Sequence, residues 1–172
     1  MKHWLRIPLC ALLLITAVAG QTANNGVTVV SEERLKQLLP ATVFLDGENV
    51  PTQERNAALA QMPNGKLLLA SLIDTAGYSS AYQEKYSGVL LSQTGFTIGG
   101  KSLDAGAYAM GRKKNGDAIT LNIYNLGGEQ VAEIATQKQD NLRPIKPLQI
   151  VTGNDGSARL YLGPYYVSLA GR

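Results

Sequence analysis

Asp74, Ser79, Ser80, Glu84 and Lys85 stand close together in the stretch Lys66 to Tyr86, KLLLASLIDTAGYSSAYQEKY, and form the densest set of reactive polar side chains in the chain. Two chemistries suit those residue types. A serine becomes a nucleophile when a neighbouring amine is desolvated and its pKa falls, so Lys85 acting on Ser79 or Ser80 would make a Ser-Lys hydrolase. Asp74 and Glu84 would make a paired-carboxylate glycosidase if a cleft held them about 5 to 9.5 Å apart. Neither serine-lysine spacing matches a fixed catalytic motif, and an exposed lysine at the start of a strand stays protonated. The simpler reading is that Asp74, Thr75 and the serines cap a turn through local backbone hydrogen bonds. No residue is assigned a catalytic role.

The tyrosines are the other group with functional character. The chain has eight of them against two phenylalanines, a bias towards rings with a hydrogen-bonding tip. Tyr78, Tyr82 and Tyr86 gather around the central loop, and Tyr161, Tyr165 and Tyr166 near the C-terminus. Brought onto one surface, they would stack on a sugar or grip a peptide. The expected ligand-binding set is Asp74, Tyr78, Ser79, Ser80, Tyr82, Tyr86, Tyr165 and Tyr166. The competing expectation is that these rings bury sheet edges and meet no ligand.

The N-terminus narrows the chemistry further. Lys2, His3 and Arg6 precede an apolar run from Ile7 to Val18, and Ala17 and Ala19 have the spacing a signal peptidase requires, so residues 1–20 read as a cleaved signal peptide. The run falls short of the roughly 20 residues needed to span a bilayer. Cys10 lies too early in the run, after Ile7, Pro8 and Leu9, to suit a lipid anchor. No later stretch is long and apolar enough to span a membrane. The only cysteine, histidine and tryptophan are Cys10, His3 and Trp4, so all three leave with the signal. The processed chain then has no internal disulfide, no Cys or His for zinc, and no Ser-His-Asp triad. Asn154 and Asp155 sit in a glycine-bounded turn that offers too few oxygens for calcium. No metal or cofactor is expected. Lys2 and Arg6 supply two of the three net positive charges, so the remainder is close to neutral and gives no electrostatic reason to bind nucleic acid. Arg112, Lys113 and Lys114 read as a solvated strand end.

Residues 21–172 read as one β-rich domain. Val27 to Val30 suggests a first strand, and Ser31 an N-cap for a short helix that carries Leu35, Leu38 and Leu39 and ends at Pro40. Ala41 to Leu45 is extended, Asp46-Gly47 marks a turn, and Pro51 closes the next segment. Residues 52–62 have helical propensity, but their place before Pro63-Asn64-Gly65 and a strong strand favours one arm of a hairpin. Leu67 to Ile73 is almost continuously apolar, as a strand covered on both faces would be. Extended structure returns near Tyr86. Residues 118–125 alternate cleanly, with Ile119, Leu121 and Ile123 on a dry face and Thr120, Asn122 and Tyr124 on a wet one. Residues 137–147 form a polar connection pinned by Pro144 and Pro147. Eight or nine short strands with one helix predict an all-β fold, a small antiparallel β-sandwich or partly closed barrel with one short N-terminal helix.

The run LASLIDTAGYSSAYQEKYSGVLLSQTGFTIGGKSLDAGAYAMG resembles small exported bacterial β-rich proteins of uncharacterised function. Their shared features are an Asp-Thr pair ending a strand, a Gly-Tyr-Ser-Ser loop, a Lys-Tyr strand start and a later Gly-Ala-Tyr. The likeness extends to the closing LYLGPYYVSL. It implies a secreted β-rich domain and brings no catalytic residues with it. The expected role is therefore non-catalytic binding or structural support, secreted or periplasmic. The partner would be a glycan, a peptide or an envelope protein, and the chain a monomer or weak oligomer. The alternatives are the small hydrolase described above and a protein-interaction module pairing through a sheet edge.

Overall fold

The computed structural model describes residues 26–116, 118–153 and 156–172. The signal segment 1–20 and the Asn154-Asp155 turn lie outside the described residues.

The elements begin with Thr28–Val29 (β1), Glu32–Leu38 (α1), Thr42–Leu45 (β2), Glu48–Gln61 (β3) and Leu67–Ile73 (β4). Next come Ser80–Lys85 (α2), Gly88–Ser92 (β5), Phe96–Ile98 (β6), Lys101–Leu103 (β7), Gly106–Asn115 (β8) and Ala118–Asn125 (β9). Gln130–Ala135 (β10), Gln137–Lys138 (β11), Leu148–Thr152 (β12), Ala158–Leu162 (β13) and Tyr165–Gly171 (β14) complete the set. One sheet has eight strands in the order β1-β3-β4-β5-β8-β9-β10, with β2 paired to β3. The other has six in the order β12-β13-β14-β6-β7, with β11 paired to β14. Every pairing is antiparallel, and neither sheet closes into a barrel. The architecture is thus a mixed β/α fold of two antiparallel sheets and two short helices.

The chain crosses between sheets once in its middle. It leaves β5, runs through the β6–β7 hairpin in the second sheet, and returns as β8. The inward residues of both sheets meet in one apolar core, with Leu68, Leu90, Met110 and Ile123 from the first and Phe96, Ile98, Leu160 and Val167 from the second. Burial of such side chains stabilises the fold by roughly 1.5–3 kcal/mol each.

The opposite face of the larger sheet is also covered. At one end Leu35 of α1 lies on Leu59 and Leu69. At the other, Tyr78 and Tyr82 lie on a second cluster that includes Val43, Leu45, Ile73, Val89, Ala109 and Tyr124. Central strands β4 and β5 are therefore apolar on both sides, which is why Leu67 to Ile73 carries no polar alternation apart from the buried Ser71.

Local sequence accounts for the element ends. Ser31 Oγ accepts from the Arg34 amide at 3.4 Å and caps α1, with Glu32 and Glu33 in the first turn. The segment 52–62 is a hairpin arm as expected, because backbone pairing with β4 outweighs its helical propensity. Pro51 does not close a segment: it lies inside β3 opposite Thr42. Strand β3 also bulges, since Thr52 pairs with Ile73 and Ala57 with Ser71, leaving residues 53–56 opposite Leu72 alone. Gln53 fastens this bulge by donating to the Ile73 carbonyl at 3.0 Å and accepting from Asn56 at 2.7 Å.

Several other expectations are corrected. The fold has a second helix, α2, where a polar loop was anticipated, so Lys85 ends a helix and does not begin a strand. The strand segments among the described residues number fourteen, more than eight or nine, and include two very short ones, β7 of three residues on β6 and β11 of two residues on β14. The polar connection contains a short strand, β11, formed upstream of its prolines. The face of β9 read as wet is buried at Asn122 and Tyr124.

Candidate functional site

Helix α2 defines the site, and its own sequence starts and stops it. Ser79 Oγ accepts from the Tyr82 amide at 3.3 Å as the N-cap, and the Tyr86 amide closes the last turn on the Tyr82 carbonyl at 3.0 Å. Just upstream, Asp74 Oδ1 accepts from the Ala76 amide at 3.0 Å, which folds the chain after β4. With a helix of six residues, propensity alone is insufficient. Tertiary bonds from the tyrosines hold it.

Those rings form a continuous file. Tyr78 stacks on Tyr82 at 5.1 Å, Tyr82 meets Tyr86 edge-on at 4.8 Å, and Tyr86 meets Tyr124 at 5.4 Å. Their hydroxyls reach back to the β2–β3 hairpin. Tyr78 donates to the Asn49 carbonyl at 2.6 Å, Tyr82 to the Leu45 carbonyl at 2.9 Å and Tyr86 to Asp46 Oδ2 at 2.8 Å. Burial pushes the pKa of the Tyr82 hydroxyl well above the ordinary phenol value, with the neighbouring Tyr86 and Tyr78 adding to the effect. Tyr86 shifts the same way, chiefly through burial.

Lys85 Nζ lies 3.5 Å from the same Asp46 oxygen and 5.0 and 5.3 Å from the centres of the Tyr86 and Tyr124 rings. The Tyr86 hydroxyl, with Asp46 behind it, favours the ammonium form and raises the lysine pKa against an opposing effect of burial. A cation so held is a poor general base. Its bonded partner is Asp46, and Ser79 is engaged as a cap. Among the described residues, no hydrogen bond or ion pair joins Asp74 to Glu84.

The C-terminal end of α2 rests directly on β8. A Cβ added at Gly111 would lie 2.1 Å from the Lys85 carbonyl oxygen, so only glycine permits this approach. Beside that contact lies a cleft of about 590 Å³ lined by α2 residues including Glu84 and Lys85, by residues 111–114 of β8, and by Asn122 and Tyr124 of β9; of the β8 cations, Lys113 shares the face of Gly111 and Asn122, whereas Arg112 and Lys114 alternate to the face of Met110 and Leu121. Asn122, 7% exposed, pairs with Gly111 on one side and Glu133 on the other. Its amide nitrogen donates to the Tyr124 hydroxyl at 3.3 Å, while its carbonyl oxygen has no partner.

The expected ligand-binding residues divide. Tyr78, Ser79, Ser80, Tyr82 and Tyr86 come together at α2, next to Asp74. Tyr165 and Tyr166 belong to the other sheet. They also diverge from each other: Tyr166 pairs with Tyr161 on the outward face, while Tyr165 shares the inward parity of Val167 and Leu169. Tyr166 donates to Gln137, takes Arg159 over its ring at 4.6 Å and lies 5.2 Å from the Tyr161 ring. Tyr161 donates to Gln139 at 2.6 Å, so β11 and the residue after it cover this face.

The cleft residues Arg112, Lys113, Lys114 and Asn122 are absent from the expected set. Two signals bear on them: a glycine preceding a basic run in β8, and an amide, Asn122, in the middle of the alternating strand β9. Neither shows its partner until the register aligns Gly111 with Asn122.

No protein-family model matches the chain. No curated protein and no solved structure matches it either.

Proposed function

We propose that this chain is an exported, non-catalytic binding domain, a two-sheet β-sandwich that holds its ligand in the cleft between α2 and the β8–β9 pair. One observation carries this reading. The polar side chains suited to hydrolysis are engaged in fold-building bonds, Ser79 and Asp74 to backbone amides and Lys85 to Asp46, while the adjoining cleft is walled by polar side chains that make no such bond, Lys113 and Glu84 among them. Concave surfaces with a few convergent polar groups are the usual place for a ligand. The signal-like N-terminus and the likeness to small exported proteins support placement outside the cytoplasm, where a glycan, peptide or envelope protein would be the partner. A monomer or weak oligomer is the matching state.

The test uses the full chain, expressed in a host that exports it and recovered as processed. It is applied to glycan and peptide arrays and to ester, peptide and glycoside substrates. The expected result is binding that Lys113→Gln abolishes, without turnover, and a mass starting near Gln21. Turnover lost with Ser79→Ala or Glu84→Gln would replace this reading with the hydrolase. Binding indifferent to Lys113→Gln would move the site elsewhere.

A further inference from the structure

Strand β12 ends the six-stranded sheet on one side and pairs with β13 alone. The pairing runs from Leu148 opposite Leu162 to Thr152 opposite Ala158 without a shift, and two bonds just beyond it fix which backbone groups it uses. The Gly163 amide donates to the Pro147 carbonyl at 3.0 Å, and the Gly153 amide to the Ser157 carbonyl at 2.8 Å. Bonded pairs alternate in an antiparallel ladder, so Gln149 and Val151 are the residues between them that bond to β13. The N–H and C=O groups of Leu148, Ile150 and Thr152 point the other way, to a side on which no strand pairs with β12.

Free edges are usually blunted. Strands β1, β2, β7 and β11 have two to four residues each. Strand β10 is longer, but it bulges between Gln130 and Ala132 and carries Glu133. Strand β12, LQIVT, has neither charge, proline nor bulge. Large apolar side chains are also exposed around it: Val151 on the strand itself (37%), Ile145 just ahead of it (50%) and Val29 on β1 (49%). Val29 lies opposite Ala60 and so shares the inward parity of Ala58 and Ala60, whose side chains join the core that also contains Leu148 and Ile150. Val29, Ala58 and residues 148–150 line one groove of about 450 Å³, bounded further by α1 and the bulged part of β3.

The lining selects among partner classes. It has no aromatic ring on which a sugar could stack. Charged side chains of both signs, Glu32, Lys36, Glu54, Arg55 and Lys146, stand around it, and an acyl chain would desolvate them without compensation. An extended peptide suits it on both counts. Its backbone would pair with the outward groups of Leu148 and Ile150, and its side chains would alternate between the inward side, towards Val29 and Ala58, and the outward side, beside Val151.

We infer that the free edge of β12 is a peptide-docking site, separate from the α2 cleft, which takes an extended apolar segment of another protein as an added strand. Main-chain bonds to Leu148 and Ile150 supply the hold. Val29 and Val151 set the preference for apolar side chains on the two faces of that segment.

The experiment is selection of a random-peptide phage library on the exported chain, then titration of the synthetic peptides and amide exchange with and without them. In the free chain the amides of Gln149 and Val151 should exchange slowly and those of Leu148 and Ile150 fast. Selected peptides should carry alternating apolar residues, slow the Leu148 and Ile150 amides at least about tenfold, and bind Lys113→Gln unchanged. N-methylation at every second peptide residue should weaken binding at least about tenfold in one phase and little in the other, because only one edge of the added strand faces β12. Val29→Asp, at a half-exposed position, should weaken binding by a similar factor with the fold retained. Peptides that leave both amides unprotected, or that lose affinity equally in either methylation phase, would overturn the site, as would a library that yields no binder. Peptides that depend on Lys113 would also overturn it while supporting the α2 cleft. Protection of Leu148 and Ile150 that rises with protein concentration in the absence of peptide would assign the edge to a second copy of the chain and overturn the partner.

Discussion

Tyr86 donates its hydroxyl to Asp46 Oδ2 at 2.8 Å, tying the end of α2 to the turn between β2 and β3 across forty residues of sequence. Asp46 holds a positive φ of 51°, its amide donates to the Leu126 carbonyl at 2.9 Å, and a Cβ on Gly128 would lie 2.8 Å from both the carboxylate and the phenol oxygen. Three chain segments thus converge on one carboxylate.

Removing either partner of that bond should be felt. Tyr86→Phe and Asp46→Asn should each destabilise the protein by about 1.5–3 kcal/mol, the range for a hydrogen bond to a charged group. The double variant should lose less than the sum, because the two changes delete the same interaction. Urea denaturation reads both quantities; strict additivity would show that the contact contributes nothing.

Gly111→Ala places a methyl 2.1 Å from the Lys85 carbonyl, so α2 must shift. We expect a destabilisation of about 1–3 kcal/mol, as for overpacking elsewhere. Gly95→Ala is the control, since its nearest neighbour would be 3.5 Å away and its φ is not positive. Equal melting temperatures for the two variants would refute the close approach of helix and strand.

Alkali should loosen the tyrosine file. Unfolded tyrosines ionise near pH ~10, whereas burial holds Tyr82 and Tyr86 neutral to higher pH in the fold. The unfolded state therefore loses these protons first. Their contribution to stability is full below the ordinary phenol value and disappears as pH rises through the folded values. Absorbance at the phenolate band should show a late fraction that titrates together with unfolding, and Tyr82→Phe should reduce it. Reversible titration of every tyrosine near the ordinary value, with the fold intact, would contradict this.

On the other sheet, Gln139 accepts from the buried Tyr161 hydroxyl at 2.6 Å and from Arg159 at 3.3 Å. Gln139→Ala should destabilise by about 1–3 kcal/mol, because it leaves a buried hydroxyl unsatisfied. Adding Tyr161→Phe should recover part of that loss. A double variant less stable than Gln139→Ala alone would count against this account.

Much of the fold was legible because period-two patterning and turn residues are local signals. Phe96 and Ile98 point into the core as their spacing indicates, Asp46 and Gly47 make the tight turn, and Ser31 caps its helix. Helix α2 was not legible, since SAYQEK is too short to show a helical period, and what holds it is a set of hydroxyl bonds to a hairpin some thirty to forty residues earlier. The same limit applies to the site. Tyr78, Tyr82 and Tyr86 were found by type and lie together, but their polar tips face backbone and Asp46. The cleft beside them depends on which residues face each other across β8, β9 and α2, a matter of register that composition does not encode.

The separation of the tyrosine cluster under α2 from the core between the sheets has a kinetic meaning. The flap made by α2 and the β2–β3 turn is fastened from outside, so it can lift while the seam between the sheets stays shut. Amide protons of residues 80–86 should then exchange with solvent through a low-energy opening, and those of β4 and β5 only when the whole molecule comes apart. A ligand bridging α2 and β8 would slow the first class of protons and leave the second untouched.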